Sequence, residues 1–449
     1  MAQIKETFYV LYQIALVPGL KIVAKLWWLW LFMFSAVLLK NIWEYYRAIV
    51  YKNKIRWSLL VIRIPREIRK SPKAMEQILN KLYSLRNTPE NFVERYWEGE
   101  VTEWWSLEMA QLNGETHLYV RTPAKYKNIV EAAFYGNYKD LEIVEVDDYV
   151  NRLPEKTTDI YKMGLDLFGL ELSLGRSSAY PFKTYPFFEA IEEEKSLDPM
   201  SVLIEVLAKL KKEEHLWLQI LIRPADPVGW QMTCNSLIDE LKEKSASKRI
   251  KGAVEEEALT LFRSPGEEEV MKAVGRNASG APFETIIRYI YFAPRAIFNR
   301  QTPYRGVRGA FAQYSIPTQN WFIPVIPTRT MVWWIKWPFF FPKKRLEARK
   351  QRILINFRKR VMPPEMKIGK IIESQFFYFD KKSKPAVMCS EGIATLFHPP
   401  SFLVLTAPFI KRMEAKRMGP PAGLPIFGEE SEVPGLKMPE PEPDSKNKK

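Results

Sequence analysis

Residues 103–121 read EWWSLEMAQLNGETHLYVR, and this stretch decides the fold of the region around it. Its two ends, Glu103–Leu112 and Thr116–Arg121, are rich in the aromatic and apolar residues that favour strands. Asn113-Gly114 lies between them, and this dipeptide is the strongest short-range signal for a tight hairpin turn. The stretch therefore predicts two antiparallel strands that are neighbours in a sheet.

The segments on either side extend this hairpin to a unit of six elements. Upstream, Trp57–Ile64 (WSLLVIRI) predicts a buried strand, and Ser71-Pro72 predicts the start of a helix. Downstream, Pro123 predicts the start of a second helix, and the alternation in Leu141–Val146 (LEIVEV) predicts a further strand. The order strand, helix, strand, strand, helix, strand is that of a ferredoxin-like domain, which we expect over residues 56–150.

A second α/β domain is expected over residues 160–425. Leu165–Leu174 (LDLFGLELSL) and Leu216–Arg223 (LWLQILIR) predict strands. Asp198-Pro199 predicts the start of the helix between them. We therefore expect an α+β fold built from ferredoxin-like units.

The remainder of this domain is expected to contain a helical insertion over residues 227–362. That insertion includes a long helix predicted for Phe283–Arg300. Strands are predicted again at Ile371–Phe379 and Pro385–Cys389. Residues 430–449 are rich in Pro, Glu and Lys, and this composition predicts a disordered tail.

Composition excludes several classes of protein. The 449 residues allow about two or three domains. A hydrophobic fraction of 47% excludes a wholly disordered or collagen-like chain. The two cysteines can form neither a disulfide framework nor a four-thiolate zinc site, and the three histidines are far apart. We therefore expect a reducing compartment and no bound metal.

The N-terminal region predicts a membrane anchor within residues 1–50. Leu26–Leu39 reads LWWLWLFMFSAVLL, without a charge. A helix over residues 22–43 would be roughly 33 Å long, which is enough for a hydrocarbon core of about 30 Å. Lys25 and Lys40 would extend their ammonium groups toward the headgroups. The aromatic residues expected at the two membrane interfaces are Trp27, Trp28, Trp30 and Trp43.

A buried core helix and a cleaved signal peptide are the alternatives to this anchor. No small-residue cleavage site follows the apolar run, so cleavage is not expected. Lys5, Lys21 and Lys25 precede the run, whereas five cations follow it between Lys40 and Arg56. This asymmetry favours a single-pass anchor with the larger, downstream part of the chain on the cytoplasmic side.

Motifs of common enzymes are missing from the sequence. It contains no phosphate-binding G-x-x-x-x-G-K-[ST] loop, no H-E-x-x-H, no G-x-S-x-G and no paired Cys-x-x-Cys. His398 has no catalytic partner in the sequence and is interpreted as a packing or hydrogen-bonding residue. We therefore expect no enzymatic activity and no cofactor.

Thr328–Arg360 combines aromatic and basic residues. Candidate membrane-surface residues are Trp333, Trp334 and Trp337. Candidate ligands of anionic lipid or nucleic acid are Lys343, Lys344, Arg345, Arg349, Lys350, Arg352, Arg358, Lys359 and Arg360. Cations beside aromatic residues suit an anionic membrane surface and a phosphate backbone alike. A structural helix with a solvated basic face is the third interpretation.

Several segments resemble a known family when they are taken in order. Glu391–Pro400 (EGIATLFHPP) is similar to an E-E-L-A-T-L-[WFY]-H-x-P signature, and Pro420–Pro425 (PPAGLP) to a P-P-x-N-L-P ending. The segments Trp57–Arg66, Tyr180–Tyr185 and Leu216–Pro224 also resemble family segments. The family comprises the pre-ATPase regions of type IV secretion (conjugation) coupling proteins and HerA-like motor proteins, in the membrane-anchored versions of candidate-phyla bacteria.

The resemblance covers residues 40–427 and departs from the family at Gly392, where an acidic residue is expected, and at Gly423, where Asn is expected. The sequence ends where the ATPase domain of such proteins begins. The resemblance therefore implies an inner-membrane adaptor of a DNA- or protein-transfer machine that docks a separate P-loop ATPase. A stand-alone membrane-tethered nucleic-acid-binding protein is the alternative. The partners expected are the membrane, that ATPase, nucleic acid and further copies of the chain.

Overall fold

The computed structural model describes residues 25, 27–65, 70–189, 197–247, 265–332, 341–365, 367–372, 383–400 and 412–413. The strands are β1 (Trp57–Pro65), β2 (Trp105–Leu112), β3 (Glu115–Pro123), β4 (Glu142–Glu145), β5 (Leu165–Leu174), β6 (His215–Pro224), β7 (Pro282–Pro294), β8 (Phe322–Pro324), β9 (Ala386–Cys389) and β10 (Arg412–Met413). The helices are α1 (Trp27–Lys54), α2 (Lys73–Ser84), α3 (Lys127–Asn137), α4 (Thr157–Lys162), α5 (Ser201–Ala208), α6 (Pro227–Ser247), α7 (Pro265–Ser279), α8 (Gln301–Ala312), α9 (Pro342–Arg358), α10 (Lys367–Ile372) and α11 (Ser390–Leu396).

The first half of the sheet contains the six-element order predicted for residues 56–150. Strand β1 pairs with both β4 and β3, and β2 pairs with β3, so the spatial order is β4-β1-β3-β2. All of these pairs are antiparallel. The predicted hairpin is confirmed, because Asn113 and Gly114 both have positive φ, at 55° and 89°, as a tight two-residue turn requires.

The second half repeats the same pattern of connections. Strands β5, β6, β7 and β8 have the spatial order β8-β5-β7-β6, with α5 after β5 and α8 after β7. Helices α6 and α7 are inserted between β6 and β7 and pack against each other. The chain therefore contains two units of like topology, of which the second carries this additional pair of helices.

The helix predicted for Phe283–Arg300 is wrong, because most of this segment forms strand β7. The strand contains a nearly continuous apolar run that is buried on both faces of the sheet. A strand covered on both faces loses its alternation of polar and apolar residues, so its pattern does not differ from that of a buried helix. The predicted helical insertion over residues 227–362 is correspondingly reduced, since β7 and β8 belong to the sheet.

Strands β2 and β6 join the two halves into one sheet. They pair antiparallel, with Trp105 opposite Ile222 and Ala110 opposite Trp217. The two strands hold the same position in their respective units, so an approximate two-fold axis passes between them. In the described part of the chain, nine strands pair antiparallel, and the two-residue strand β10 adds in parallel to β1.

Two apolar layers cover the two faces of this sheet. On one face, α2, α3, α5 and α8 pack against alternate strand residues such as Leu107 and Met109. On the other face, α9 inserts Ile353, Leu354 and Phe357 against residues that include Trp217. Full burial of side chains of this size stabilises the fold by about 1.5–3 kcal/mol each. Helix α9 is therefore a component of the core.

The segments after α9 differ in part from the prediction. The strand predicted from Ile371 is wrong at its start, because Ile371 lies in helix α10. Ile368, Ile371 and Ile372 recur at helical spacing, which explains this helix. The strand predicted for Pro385–Cys389 is confirmed as β9, which pairs with β7. Residues 373–379 and the predicted tail lie outside the described residues.

Candidate functional site

Helix α1 has two halves with opposite surroundings. From Trp27 to Leu39 the large apolar side chains other than that of Trp30 are exposed, and Phe34 is 67% exposed. In the second half Glu44 and Ala48 are buried, and the helix packs against the segment 94–98. The first half therefore projects from the folded unit with an apolar surface that no described residue covers.

The sequence-predicted anchor residues fall mostly in this first half. Trp27 and Trp28 are exposed, whereas the Nε1 of Trp43 donates a hydrogen bond of 2.7 Å to the carbonyl oxygen of Tyr96. The side chain of Trp30 lies outside the description, as do residues 22–24 and 26 of the predicted spanning helix. Helix α1 also continues beyond the predicted end near Trp43, to Lys54.

Of the helices in the described part of the chain, none combines the length and the apolar character that crossing a membrane requires.

The predicted basic segment forms helix α9 and the turn after it, and several of its cations face the protein. The guanidinium of Arg349 donates to the carbonyl oxygens of Ile326, Arg329 and Met331 at 3.0–3.2 Å. Lys350 forms an ion pair with Asp166. These side chains hold the helix to the loop before it and to strand β5.

Arg358 and Arg360 are also committed to internal contacts. Arg358 donates to the carbonyl oxygen of Val150 at 3.0 Å. Arg360 is completely buried, and its guanidinium lies between two carboxylates. It donates to both oxygens of Glu108, at 2.9 and 3.0 Å, and to Asp148 at 2.9 Å. Arg360 therefore cannot touch a lipid or nucleic-acid surface, which corrects that part of the prediction.

Electrostatics explains why this buried triad remains ionised. Burial alone would raise the pKa of Glu108, but the charge and hydrogen bonds of Arg360 outweigh it and lower the pKa. The hydroxyl of Tyr149 also donates to Glu108, at 2.6 Å. Asp148 shows the same balance, so its pKa is lowered as well. Burial would likewise lower the pKa of Arg360, but the neighbouring carboxylates raise it well above the usual range.

A row of polar side chains crosses the sheet beneath the end of α9. Glu171, Arg288, Gln219 and Glu108 are opposite one another on the adjacent strands β5, β7, β6 and β2, and all four are buried. Arg288 pairs with Glu171 at 2.7 Å and donates to the carbonyl oxygen of Asn356 at 2.7 Å.

The same row bonds carbonyl groups in the last turn of α9, where Gln219 donates to the carbonyl oxygen of Phe357 at 3.1 Å. Trp104, just before β2, donates to the carbonyl oxygen of Arg360 in the turn after the helix, at 3.0 Å. Carbonyls at a helix C-terminus lack partners within the helix, and positive charge near that end is favourable. The polar row and the triad together fasten the end of α9 to the sheet.

Sequence reasoning missed this network. The available signal was a single charged residue within an apolar strand, as at Glu108, Glu171 and Arg288. A lone charge in a buried strand needs a partner, because a buried unpaired charge is costly. The partners are distant in the sequence. A lone charge in a strand therefore indicates that a partner is required, but it does not indicate which residue that partner is.

The cations that remain exposed are few. Lys343, Lys344 and Lys359 are exposed, whereas Arg345 and Arg352 are partly buried and take part in further contacts. The nine predicted cations therefore do not form one surface. Trp333, Trp334 and Trp337 lie outside the described residues.

His398 lies in the interior beside a carboxylate. Its Nε2 is 3.2 Å from the Oδ1 of Asp198, and its Nδ1 is 2.8 Å from the carbonyl oxygen of Ala394. Both ring nitrogens thus face oxygen atoms, which agrees with its interpretation as a hydrogen-bonding residue. Within the described residues, no group of three or more His, Cys, Asp or Glu side chains is arranged to hold a metal ion.

Two segments that carry the family resemblance contact each other. The backbone N–H of Tyr185 donates to Thr395 at 2.9 Å, and Thr184 bonds Glu391. The departure at Gly392 has a packing reason here. A Cβ atom at this position would lie 3.0 Å from the ring of Phe182, so the ring would have to shift slightly to admit any side chain there.

Comparisons of the sequence with protein-family models and with curated proteins find no match.

Proposed function

We propose that this chain is a non-enzymatic adaptor of the bacterial inner membrane. The apolar half of α1 enters the bilayer, and the sheet domain stands on its cytoplasmic side. There it docks a separate P-loop ATPase of a type IV secretion or conjugation-like transfer machine. The two units that share the sheet are ferredoxin-like units in this proposal.

The observation that carries the proposal is the exposed apolar half of α1. A helix on the surface of a water-soluble domain normally buries one apolar stripe and exposes a polar face. Here Trp28, Phe32 and Phe34 are each more than half exposed. Large apolar patches of this kind mark sites of contact with a membrane or a partner protein. Trp27 and Trp28 at the start of the helix favour a lipid interface.

The adaptor role is supported by the form of the domain and by the family resemblance. The continuous sheet, with α9 bonded to it, forms one sheet domain directly after α1. The sequence contains no phosphate-binding loop, and the proposal therefore assigns the energy of transport to a separate ATPase. The resemblance of the segments at 180–185 and 391–400 to pre-ATPase regions supplies the class of that partner.

Affinity purification of the tagged chain from detergent-solubilised membranes tests the adaptor role. We expect a P-loop ATPase to co-purify and to be identified by mass spectrometry. ATP hydrolysis should then depend on the Walker lysine of that partner, and the adaptor alone should have no activity. ATPase activity that remains with the purified chain alone, and that is abolished by point mutations in it, would contradict the proposal.

A nucleic-acid-binding role is the second candidate, and one observation favours it. Lys343 and Lys344 are exposed in the first turn of α9. Cations at a helix N-terminus are unfavourable with respect to the helix dipole, whereas an anion there is favourable. A phosphate group bound at this turn would offset the repulsion. The salt dependence of binding, described in the Discussion, tests this role.

A further inference from the structure

A short helical turn beside α1 exposes three large apolar side chains. Phe92, Val93 and Trp97 are 72%, 56% and 69% exposed. They flank or lie within a turn of π-helix at Glu94–Glu98 that ends at Gly99, where φ is +72°. We call Phe92, Val93 and Trp97 the collar. Three large apolar side chains exposed within six positions are uncommon in a surface turn.

The collar is fixed to α1 at three points. Trp43 donates to the carbonyl oxygen of Tyr96, as described above. The buried carboxylate of Glu44 accepts a 2.6 Å charge-assisted bond from Arg95. At Gly99, a Cβ atom would lie 2.4 Å from the backbone of Arg47, so only glycine permits this close approach. The collar therefore moves with α1 as one body.

Two cations lie over aromatic side chains next to the collar. The Nζ of Lys40 is 5.0 Å from the ring centre of Tyr96, and the guanidinium of Arg47 is 5.9 Å from that of Trp43. The carboxylate of Glu94 accepts hydrogen bonds from the backbone N–H groups of Glu90 and Asn91, at 3.0 and 3.3 Å. Exposed aromatic residues beside cations match the boundary between headgroups and acyl chains in an anionic membrane.

The position of the collar along α1 also matches the boundary between headgroups and acyl chains. The run of residues without a charge ends at Leu39, and the next residue, Lys40, lies over Tyr96. From Trp27 to Lys40 the helix rises about 20 Å, or about two thirds of a hydrocarbon core. The collar is therefore attached at the level where the helix changes from apolar to charged.

We infer that the collar is an interfacial anchor, which inserts Phe92, Val93 and Trp97 into the headgroup–acyl boundary of an anionic bilayer. The inference rests on the proposed insertion of α1 and adds a second, independent contact. The collar would fix the depth of the helix and the tilt of the sheet domain over the membrane. Interfacial elements of this kind enter the bilayer by about 5–10 Å.

Site-specific fluorescence on the full-length chain tests the collar. An environment-sensitive dye is attached to single cysteines in the variants Trp97→Cys, Phe34→Cys and Met232→Cys. Met232 is the control, because it is an apolar residue that is 65% exposed on α6. The native thiols do not compete, because burial raises the pKa of Cys234 to about 11 and that of Cys389 to about 12.

Each labelled protein is reconstituted into vesicles of phosphatidylcholine and phosphatidylglycerol that carry nitroxide lipids. The dye at position 97 should shift to shorter wavelength and be quenched more by a nitroxide near the headgroup than by one deep in the acyl chain. The dye at position 34 should prefer the deep nitroxide, and the dye at position 232 should respond to neither.

The outcomes separate this inference from the proposed function. If the dye at position 34 is quenched and the dye at position 97 is not, α1 enters the bilayer and the collar inference is wrong. A blue shift at position 97 without quenching by lipid would mean that a protein, such as a second copy of the chain, covers the collar, and would also overturn the inference. Absence of quenching at both positions 34 and 97 would contradict the insertion of α1 and the insertion of the collar.

Discussion

Arg360 shows how a single buried charge can organise the turn after a helix. Its guanidinium is removed from water, and Glu108 and Asp148 replace the lost hydration with charge-assisted bonds. The backbone at Arg360 has a φ of +47°, which is unfavourable for a residue with a side chain. The ion pairs and the polar row offset this strain, so the geometry depends on keeping all three groups.

Removing one partner of the triad should destabilise the fold strongly. We expect Arg360→Met to lower the free energy of unfolding by about 3–5 kcal/mol, because it leaves Glu108 and Asp148 without their counter-charge. Arg63→Met is the matched control, since Arg63 pairs with Glu142 at 3.2 Å on the surface and should cost at most about 1 kcal/mol. Denaturation of the detergent-solubilised chain measures both, and equal losses would contradict the account of the triad.

The stability of the protein should also depend on pH through these carboxylates. The pKa values of Glu108 and Asp148 are lower in the folded state than their ordinary values of 4.5 and 3.8. In acid the unfolded state therefore binds more protons, and the free energy of unfolding falls as the pH drops below about 5 toward the folded pKa values.

This pH dependence can be separated from the loss of the contact itself. Glu108→Gln lowers stability at neutral pH, but it also removes one titrating group. The slope of the unfolding free energy against pH, below pH of about 5, should therefore be smaller in Glu108→Gln than in the wild type. An unchanged slope would mean that Glu108 does not titrate as the buried partner of Arg360.

Two glycines allow the close packing between α1 and the turn that carries the collar to be tested. Gly99 and Gly164 both have positive φ, at +72° and +76°, so alanine should cost about 1–2 kcal/mol of backbone strain at either position. Only at Gly99 would the added Cβ meet a backbone, whereas at Gly164 it has no neighbour within 4 Å. The melting temperature should therefore fall more for Gly99→Ala than for Gly164→Ala, and equal shifts would argue against close packing at the joint.

At the scale of elements, sequence patterns predicted the helices and strands that are determined by residues close together in the sequence. The hairpin at Asn113-Gly114 and the strands on both sides depend on turn residues and on apolar runs that are read locally. Strand β7 was predicted as a helix because neighbours on both of its faces remove the alternation that distinguishes strands. These neighbours are distant in the sequence, so no local pattern contains them.

Helix α9 illustrates the same limit for the candidate site. The spacing of its cations in the sequence suggests one basic surface. The sheet beneath the helix determines which of these cations form contacts inside the protein. Arg349, Arg358 and Arg360 make bonds to backbone carbonyls or buried carboxylates, while Lys343 and Lys359 stay exposed. The sequence left open whether the basic segment is structural or binds at a surface. It could not show which individual cations have which role.

Replacing the exposed lysines tests whether α9 contacts phosphate groups. We expect Lys343→Gln with Lys344→Gln to leave stability within about 0.5 kcal/mol of the wild type, because both side chains are exposed. If the segment binds nucleic acid, the slope of log binding constant against log salt for duplex DNA should become less steep by about 0.9 for each lost contact. Unchanged binding and slope would exclude these lysines from any such site.

At the scale of the whole molecule, the described residues join an exposed apolar helix to one continuous sheet. The approximate two-fold relation between the halves puts β2 and β6 at the centre, where Trp105 and Trp217 are fully buried. Because the polar row and the triad cross this centre, the two units cannot separate without exposing buried charges. In the proposed function, the domain would transmit force or position from the membrane to a partner as a single body.

Partition of the full-length chain between membrane and aqueous fractions after alkaline extraction tests the central claim most directly. The variant Phe34→Lys with Val37→Lys places two charges in the apolar half of α1, at about 2.5–3.5 kcal/mol each for insertion. Met232→Lys is the matched control on α6. The account predicts that the wild type and Met232→Lys remain with the membranes and that the double variant is released. Recovery of the wild type in the aqueous fraction, without detergent, would contradict the claim that α1 anchors this protein.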